Sequence, residues 1–337
     1  KMAKPATLLT LTATVTLLLL LLNISFGSTY ISPFELLQLP FGRNQDLAEI
    51  LWAFRLPKAV TCLLTGAALG TGGLLMQTLF RNPLAGPDVL GLSSGSSLLV
   101  ALVIMLGQSN IAILQLVAGS PWSLAIAATL GSAMVFVLMI VISRFVKDNT
   151  SILIIGLMLS AATTSVVGML LYVSKSEDLQ LFMIWSLGNV GGTNWKEILV
   201  LACVISIGIS IAISQVKSLN ARLLGDTYAQ SLGIPLAQSR FWLVAATSLM
   251  VGSVTAFCGP IAFVGLAVPH LVKLVVPSSN HRIILPLVML GGACLLLFCD
   301  VLTHAFGTTI LPLNAVTSII GAPLVIWMVV KNKKMTL

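Results

Sequence analysis

Residues that could perform chemistry are sparse in this chain. No lysine follows a glycine, so there is no phosphate-binding loop of the GxxxxGK[ST] type. The histidines His270, His281 and His304 lack metal-site spacing, and no Ser-His-Asp arrangement is readable. The five cysteines lie in apolar runs without a CxxC pair, which favours small apolar side chains in helices over redox chemistry. The sequence therefore predicts no catalytic residue and no bound metal or cofactor.

The acidic residues raise the question of what would drive transport. Nearly all ten lie near the ends of apolar runs or between them. Ion-coupled transporters usually carry ionisable groups near the bilayer midplane. Here only Asp300 is a candidate, with His304 one turn later, and we expect a local Asp300–His304 pair near the outer membrane surface. A secondary transporter would have to couple an ion gradient to transport through Asp300 and His304. If these residues do not couple, the chain is a pore that depends on a partner protein for energy.

The elements that position these residues are membrane helices. The chain is 57% hydrophobic and 8% charged, against about 25% charged in soluble domains. Its apolar runs are long and do not alternate, which predicts an all-α polytopic fold. Ten spans are predicted, at 6–26, 57–80, 89–107, 121–145, 151–172, 195–215, 240–258, 261–276, 283–303 and 314–330.

The basic residues predict the orientation. With the N-terminus inside, thirteen of the 18 lysines and arginines fall on the cytoplasmic side, so we expect both termini there. The first apolar run lacks a good cleavage pattern and is interpreted as a retained span rather than a signal peptide. No basic stripe with interleaved aromatics is present, so nucleic acid is not an expected partner.

Two connections are long. The outer one, 27–56, contains SPFE, a capping-box pattern that predicts a short external helix beginning after Ser32. The inner one, 216–239, places four leucines near one predicted face, which favours one or two short surface helices with a glycine bend over a plain connector. These leucines are Leu219, Leu223, Leu224 and Leu232.

The second span contains GAALG, a small-xxx-small pattern that lets helices approach closely and predicts a central position in the bundle. It is followed by the polar stretch QTLFRNPLAGPDVLGLSSGSS, in which Pro83 and Pro87 stop the helix and hold a bend. Irregular polar backbone at a membrane edge is tolerated only where protein or water covers it.

The stretch RLPKAVTCLLTGAALGTGGLLMQTLFRNPLAGPDVLGLSSG resembles the signature of the FecCD/BtuC family of ATP-binding-cassette importer permeases. NARLLGDTYAQSLGIP, GPIAFVGLAVPHLVK and LPLNAVTSIIGAPLVIWMVVK agree, so the resemblance covers residues 50–331 in family order. It implies ten spans, a homodimer with a central pore, two cytoplasmic ATPase subunits that bind ATP and Mg²⁺, and an external substrate-binding protein.

The resemblance implies two cytoplasmic constrictions. Asn82 and Leu84 match residues that narrow the pore's inner mouth in related permeases, although a rigid inter-helix turn is the alternative. Thr150 and Ser151 match small hydroxyl residues before span five, with helix capping by either residue as the alternative. Span five itself, rich in small and hydroxyl residues, is interpreted as pore lining or as a tightly packed helix.

Residues 219–234 resemble the helices that couple such permeases to their ATPases. The residues implied in this contact are Leu219, Arg222, Leu223, Gly225, Asp226, Leu232 and Gly233. Relatives commonly have Gly-Glu where this chain has Gly225-Asp226, so an ion pair from the shorter Asp226 to the ATPase is open.

Arg55 and Lys58 match a basic pair that meets the external binding protein, with headgroup anchoring as the alternative. His304 replaces a third basic residue of relatives and is mostly uncharged at neutral pH, so its contribution to docking is open.

The family implies uptake of a metal chelate across the bacterial inner membrane. An iron–siderophore is the first expectation, and cobalamin, haem and a metal oxyanion stay open, because no metal-ligand set is readable in the predicted pore.

Overall fold

A computed structural model describes residues 5–27, 31–32, 45–107, 122–146, 148–276, 278–305 and 310–333. Every regular element in these ranges is helical, as expected. The external helix expected after Ser32 lies outside the described residues. The α-helices are α1 (Pro5–Ser25), α2 (Gln45–Ile50), α3 (Leu56–Phe80), α4 (Leu92–Gly107), α5 (Ser123–Phe145), α6 (Asn149–Val173), α7 (Ser176–Ser186), α8 (Trp195–Ser214), α9 (Val216–Arg222), α10 (Asp226–Ser231), α11 (Leu236–Cys258), α12 (Val264–Val275), α13 (His281–Thr303) and α14 (Leu313–Lys333).

Apolar helices occupy the positions of all ten predicted spans, with ends within about four residues of those expected. Seven have the length and hydropathy to cross a membrane, whereas α4, α12 and the part of α14 up to Trp327 are shorter apolar helices. The shortest, α12, contains Pro269, as the sequence indicated. The fold is therefore an all-helical membrane bundle.

The centre of the bundle is α3, which is mostly buried and packs against α8, α11, α12 and α13. Small residues make this possible, because a Cβ on Gly66 would lie 2.3 Å from the carbonyl oxygen of Gly292 in α13. A Cβ on Gly73 would lie 1.6 Å from the carbonyl oxygen of Gly265 in α12. The central position predicted from GAALG is confirmed.

Residues 45–55, expected in an external loop, are helical instead: α2 continues through a π-helical turn, Leu51–Arg55, into α3. The carbonyl of Trp52 in this turn accepts a hydrogen bond from the indole of Trp195, at 2.8 Å. The two rings pack with their centroids 5.9 Å apart. The turn thereby connects the start of α3 to the start of α8.

The middle of α6 is exposed and lined by small and hydroxyl side chains. Ala161, Ala162, Thr164 and Ser165 lie on this open side. A Cβ on Gly168 would meet no atom within 4 Å. Within the described chain, these small residues therefore do not serve close packing between helices.

Candidate functional site

The polar turn after α3 begins with an unusual backbone. Arg81 ends the helix in the left-handed region at φ 47°, which costs a residue with a Cβ about 1 kcal/mol and requires support from its surroundings. The side chain of Asn82 accepts from the backbone N–H of Leu84 at 2.9 Å. Leu84 is exposed at the tip of this turn. The candidate gate residues Asn82 and Leu84 thus lie on a turn with its own internal hydrogen bond.

The second candidate gate lies at the start of α6. The capping residue is neither Thr150 nor Ser151 but Asp148, whose carboxylate accepts from the backbone N–H of Ser151 at 2.8 Å and from its hydroxyl at 2.9 Å. The capping alternative for Thr150 and Ser151 was therefore wrong. These hydrogen bonds lower the pKa of Asp148, since they favour its charged form.

The inner connection forms α9 and α10, as predicted. Gly225 joins them at φ 118°, a conformation that only glycine adopts readily. A second glycine, Gly233, follows α10 at φ 79°. The expectation that four leucines share one face was wrong, because Leu219 is fully buried against the core. The other three leucines and a tyrosine are exposed: Leu223, Leu224, Leu232 and Tyr228.

The helix α9 is fixed to the bundle. The amide oxygen of Asn220 accepts from both the backbone N–H and the ring Nδ1 of His281, each at 2.8 Å. The ring Nε2 lies 2.9 Å from the hydroxyl of Thr78 in α3. The hydroxyls of Ser218 and Ser239 also meet. These contacts hold α9 against α11 and α13, and His281 in turn contacts α3.

The carboxylate of Asp226 at the start of α10 points into the chain rather than away from it. It accepts from Arg222 Nη1 at 3.2 Å, from Arg81 Nη2 at 3.4 Å and from Asn149 Nδ2 at 3.3 Å. Burial lowers the pKa of Arg222, which the charge of Asp226 opposes. Asp226 thus joins α9, the end of α3 and the start of α6.

At the opposite end of the bundle, Asp300 does not pair with His304 through its carboxylate. It forms a buried ion pair with Lys58 at 2.8 Å and accepts from the amide of Asn23 in α1 at 2.7 Å. The His304 ring instead lies 2.8 Å from the hydroxyl of Thr303 and 3.1 Å from the backbone carbonyl of Asp300. The expected Asp300–His304 side-chain pair was wrong, since the carboxylate is occupied by partners from two other helices.

The three candidate docking residues line one cavity. Arg55, Lys58 and His304 all border a space of about 680 Å³ that also touches Asp300 and Asn189. Arg55 and Lys58 are nevertheless buried, and Arg55 donates to the carbonyl of Phe26. The basic pair thus lies in the wall of a cavity rather than on an open rim.

Several residues of these two clusters escaped the sequence reasoning. Asn23 is an isolated polar residue in an apolar run, and a carboxylate such as Asp300 inside a membrane helix requires a partner, so the two together were a usable signal. Arg81 and Asn149 directly precede the candidate gates. Nothing in the sequence indicated that both would meet Asp226.

A family model described as the FecCD transport family matches residues 15–331. The chain belongs to this family. Among FecCD-related proteins, the hemin transport system permease protein HmuU of Yersinia pestis is 33% identical over 293 residues, covering 86% of each chain. The vitamin B12 import system permease protein BtuC of Salmonella paratyphi A is 34% identical over 314 residues, covering 93% of this chain and 91% of the relative.

One solved structure is similar to this chain over almost its whole length. It is an inward-facing conformation of a transporter assigned to the metal-chelate ABC type. It superposes on 97% of this chain and 99% of its own with a TM-score of 0.85 and 27% identity. The family resemblance expected from the sequence is thus confirmed. Within the described residues of this FecCD chain, no group of three or more His, Cys, Asp or Glu could hold a metal ion.

Proposed function

We propose that this chain is the membrane-spanning permease subunit of an ATP-binding-cassette importer for a metal chelate in the bacterial inner membrane. It acts as a ten-span homodimer with both termini in the cytoplasm, two ATPase subunits inside and a substrate-binding protein outside. Membership of the FecCD family and the relatives named for hemin and vitamin B12 transport support this proposal.

The observation that carries the proposal is the exposed apolar surface of the inner connection. This surface lies on α9, α10 and the residues that follow each of them, and α9 is hydrogen-bonded to the bundle through Asn220. Its exposed side chains are Leu223, Leu224, Tyr228 and Leu232. A soluble partner that covers these side chains would gain about 25 cal/mol for each Å² of apolar surface buried. We assign this surface, with Gly225 and Gly233 setting its bends, to the ATPase contact.

The turn at Asn82 and Leu84 and the start of α6 at Thr150 and Ser151 are proposed as the cytoplasmic gates. The amide of Asn149, next to Thr150, donates to the carbonyl of Leu79 in the last turn of α3 at 2.9 Å. A hydrogen bond therefore connects the segments that directly precede the two candidate gates. The exposed face of α6, with its small and hydroxyl residues, is proposed to line the pathway between two copies of the chain.

The cavity at Arg55, Lys58 and His304 is proposed as the place where the external binding protein docks. An acidic side chain of the binding protein would enter this cavity, whose wall contains the cations of Arg55 and Lys58 and the carboxylate of Asp300. Lys58 is paired with Asp300, and Arg55 brings a second positive charge to the same cavity.

The cargo class proposed is a metal chelate. The sequence favoured an iron–siderophore, whereas the relatives described above are named for hemin and vitamin B12, which are metal macrocycles. We therefore rank haem and cobalamin beside iron–siderophores as candidate cargoes, with a metal oxyanion behind them.

The decisive experiment is uptake into proteoliposomes. The chain is reconstituted with its ATPase and binding protein, and entry of a ferric siderophore, haem, cobalamin and molybdate is measured with and without ATP. We expect ATP-dependent accumulation of one chelate class. Accumulation by the chain alone under a proton or sodium gradient would instead make it a secondary transporter and would overturn the proposal.

A further inference from the structure

The contacts of Asp226 join parts of the chain that have different proposed tasks. Its carboxylate lies at the first turn of α10, on the segment assigned to the ATPase contact. Its donors Arg81 and Asn149 directly precede the candidate gates at Asn82 and Thr150. The Asp226 side chain therefore contacts the residue directly before each candidate gate.

Further contacts close this cluster. Besides Asp226, Arg81 Nη2 donates to the backbone carbonyl of Arg222 at 3.1 Å, so Arg81 grips the end of α9 as well as the start of α10. Asn149 Nδ2 reaches both Asp226 and the carbonyl of Leu79. Thus α3, α6, α9 and α10 meet within hydrogen-bonding distance.

The cluster is built to be exchangeable rather than permanent. The Asp226 side chain is 33% exposed and that of Arg81 is 46% exposed, and the donor distances of 3.2–3.4 Å are long for charge-assisted hydrogen bonds. Asp226 also lines a cavity of about 760 Å³, together with Arg240 and Gln230, so it has room to move. The left-handed backbone of Arg81 gives the turn a conformation that depends on these contacts.

We propose that Asp226 is the positioning residue that couples the ATPase-contact segment to both cytoplasmic gates. Movement of α10 relative to the anchored α9 changes the distance from Asp226 to Arg81 and Asn149, and through them shifts the starts of the two gate segments together. This assignment deepens the proposed function and rests on it. It adds contacts within one chain to the ATPase contact proposed for this segment.

The first test compares Asp226→Asn with Asp226→Glu in the complete transporter. Asn removes the charge and keeps the shape, and we expect cargo uptake to fall about tenfold, a typical size for coupling between sites, while ATP hydrolysis and subunit assembly stay within twofold. Glu restores the charge and should recover most of the uptake. Arg282→Gln is the matched control and should transport normally, because the side chain of Arg282 is exposed at this end of the bundle and has no described hydrogen bond or ion pair.

A second measurement tests the cluster without any transport. The thermal unfolding midpoints of Asp226→Asn, Asn149→Ala and the double variant are measured on the purified chain in detergent. Asp226 and Asn149 are linked if the double variant is less destabilised than the sum of the two single ones.

The outcomes separate the two proposals. If the wild-type complex imports no chelate, the proposed function fails, and the thermal cycle still tests the linkage. If the wild type imports a chelate and Asp226→Asn moves the same amount per ATP, or if the thermal shifts simply add, the assignment of Asp226 is overturned. The assignment is also overturned if Asp226→Asn loses uptake, ATP hydrolysis and subunit assembly all together, because such a result would show a purely structural role for Asp226.

Discussion

The two ends of the bundle each contain one carboxylate that gathers partners from several helices, and they do so in opposite ways. Asp300 is buried with Lys58 at 2.8 Å, and both side chains are less than a tenth exposed. Asp226 is one-third exposed and shares three donors at 3.2–3.4 Å. A short buried pair holds helices at a fixed distance, whereas a partly exposed carboxylate with several donors can exchange them at little cost. We infer that the Asp300 end is rigid and that the Asp226 end moves.

The strongest way to break this comparison is to remove the buried acid. Asp300→Ala leaves Lys58 buried without its counter-charge, which typically costs about 3–5 kcal/mol, so the thermal unfolding midpoint in detergent should fall more than for any variant at the Asp226 end. Asn23→Ala, which removes the second donor and leaves the ion pair, is the matched control and should cost less. An unchanged midpoint for Asp300→Ala would refute a rigid Asp300 end.

The next largest effect is expected at the bend between α9 and α10. Gly225→Ala forces a Cβ into a backbone at φ 118°, which costs about 1–3 kcal/mol. The new Cβ meets only the Arg81 side chain, at an ordinary 3.5 Å, so the effect comes from the backbone. We expect α10 to shift and ATP-driven uptake to fall, with a smaller change in unfolding midpoint than Asp300→Ala gives.

Gly168→Ala is the control for this substitution, because its Cβ has open space. It should not lower the unfolding midpoint of the chain, since alanine is favoured over glycine inside a helix. A midpoint that falls as much for Gly168→Ala as for Gly225→Ala would argue against a backbone effect specific to the bend.

A smaller effect is expected in how the stability of variants at the two ends depends on salt concentration. Solvent-exposed ion pairs such as Arg81–Asp226 contribute about 0–1 kcal/mol and are screened by ions. The destabilisation by Asp226→Asn should therefore shrink between low and high salt, while that of Asp300→Asn should persist. The measurement is the unfolding midpoint of each variant at several salt concentrations. A strong salt dependence at Asp300 would reverse the assignment.

The smallest expected effect is at Asp148, which caps α6 beside the Asp226 cluster. Its pKa is lowered in the folded chain, so its contribution is fully present above the unfolded pKa of about 3.9 and is lost as pH falls through the folded value. The stability difference between wild type and Asp148→Ala should therefore be constant near neutrality and disappear in acid. A difference that grows in acid would contradict the capping role.

The sequence predicted the positions of the helices well, because a bilayer-length apolar run has few alternatives to a helix. It also predicted a glycine bend in the inner connection and the close packing of α3. It could not predict which helices are neighbours. Asp300 takes Asn23 as a partner across 277 positions of the chain, and a hydropathy pattern holds no information on such a contact.

The same limit explains the errors at the candidate site. Leu219 was grouped with Leu223 by spacing, but α9 is anchored through Asn220 and His281, which turns Leu219 into the core. The sequence placed Asp226 at a proposed subunit contact through its family position and did not indicate its partners within the chain. Its own-chain donors come from α3, α6 and α9, and only the assembled bundle brings those helix ends together.

The π-helical turn at Leu51–Arg55 has an evolutionary consequence. Such a turn arises when one residue is inserted into an α-helix without unwinding the rest. Deleting one residue from it would restore the α-helical register and rotate everything upstream by about 100°, carrying Trp52 away from Trp195 while Lys58 kept its place opposite Asp300. Homologues of different length at this point should therefore differ in the surface they present ahead of α3, with the interior of the bundle unaltered.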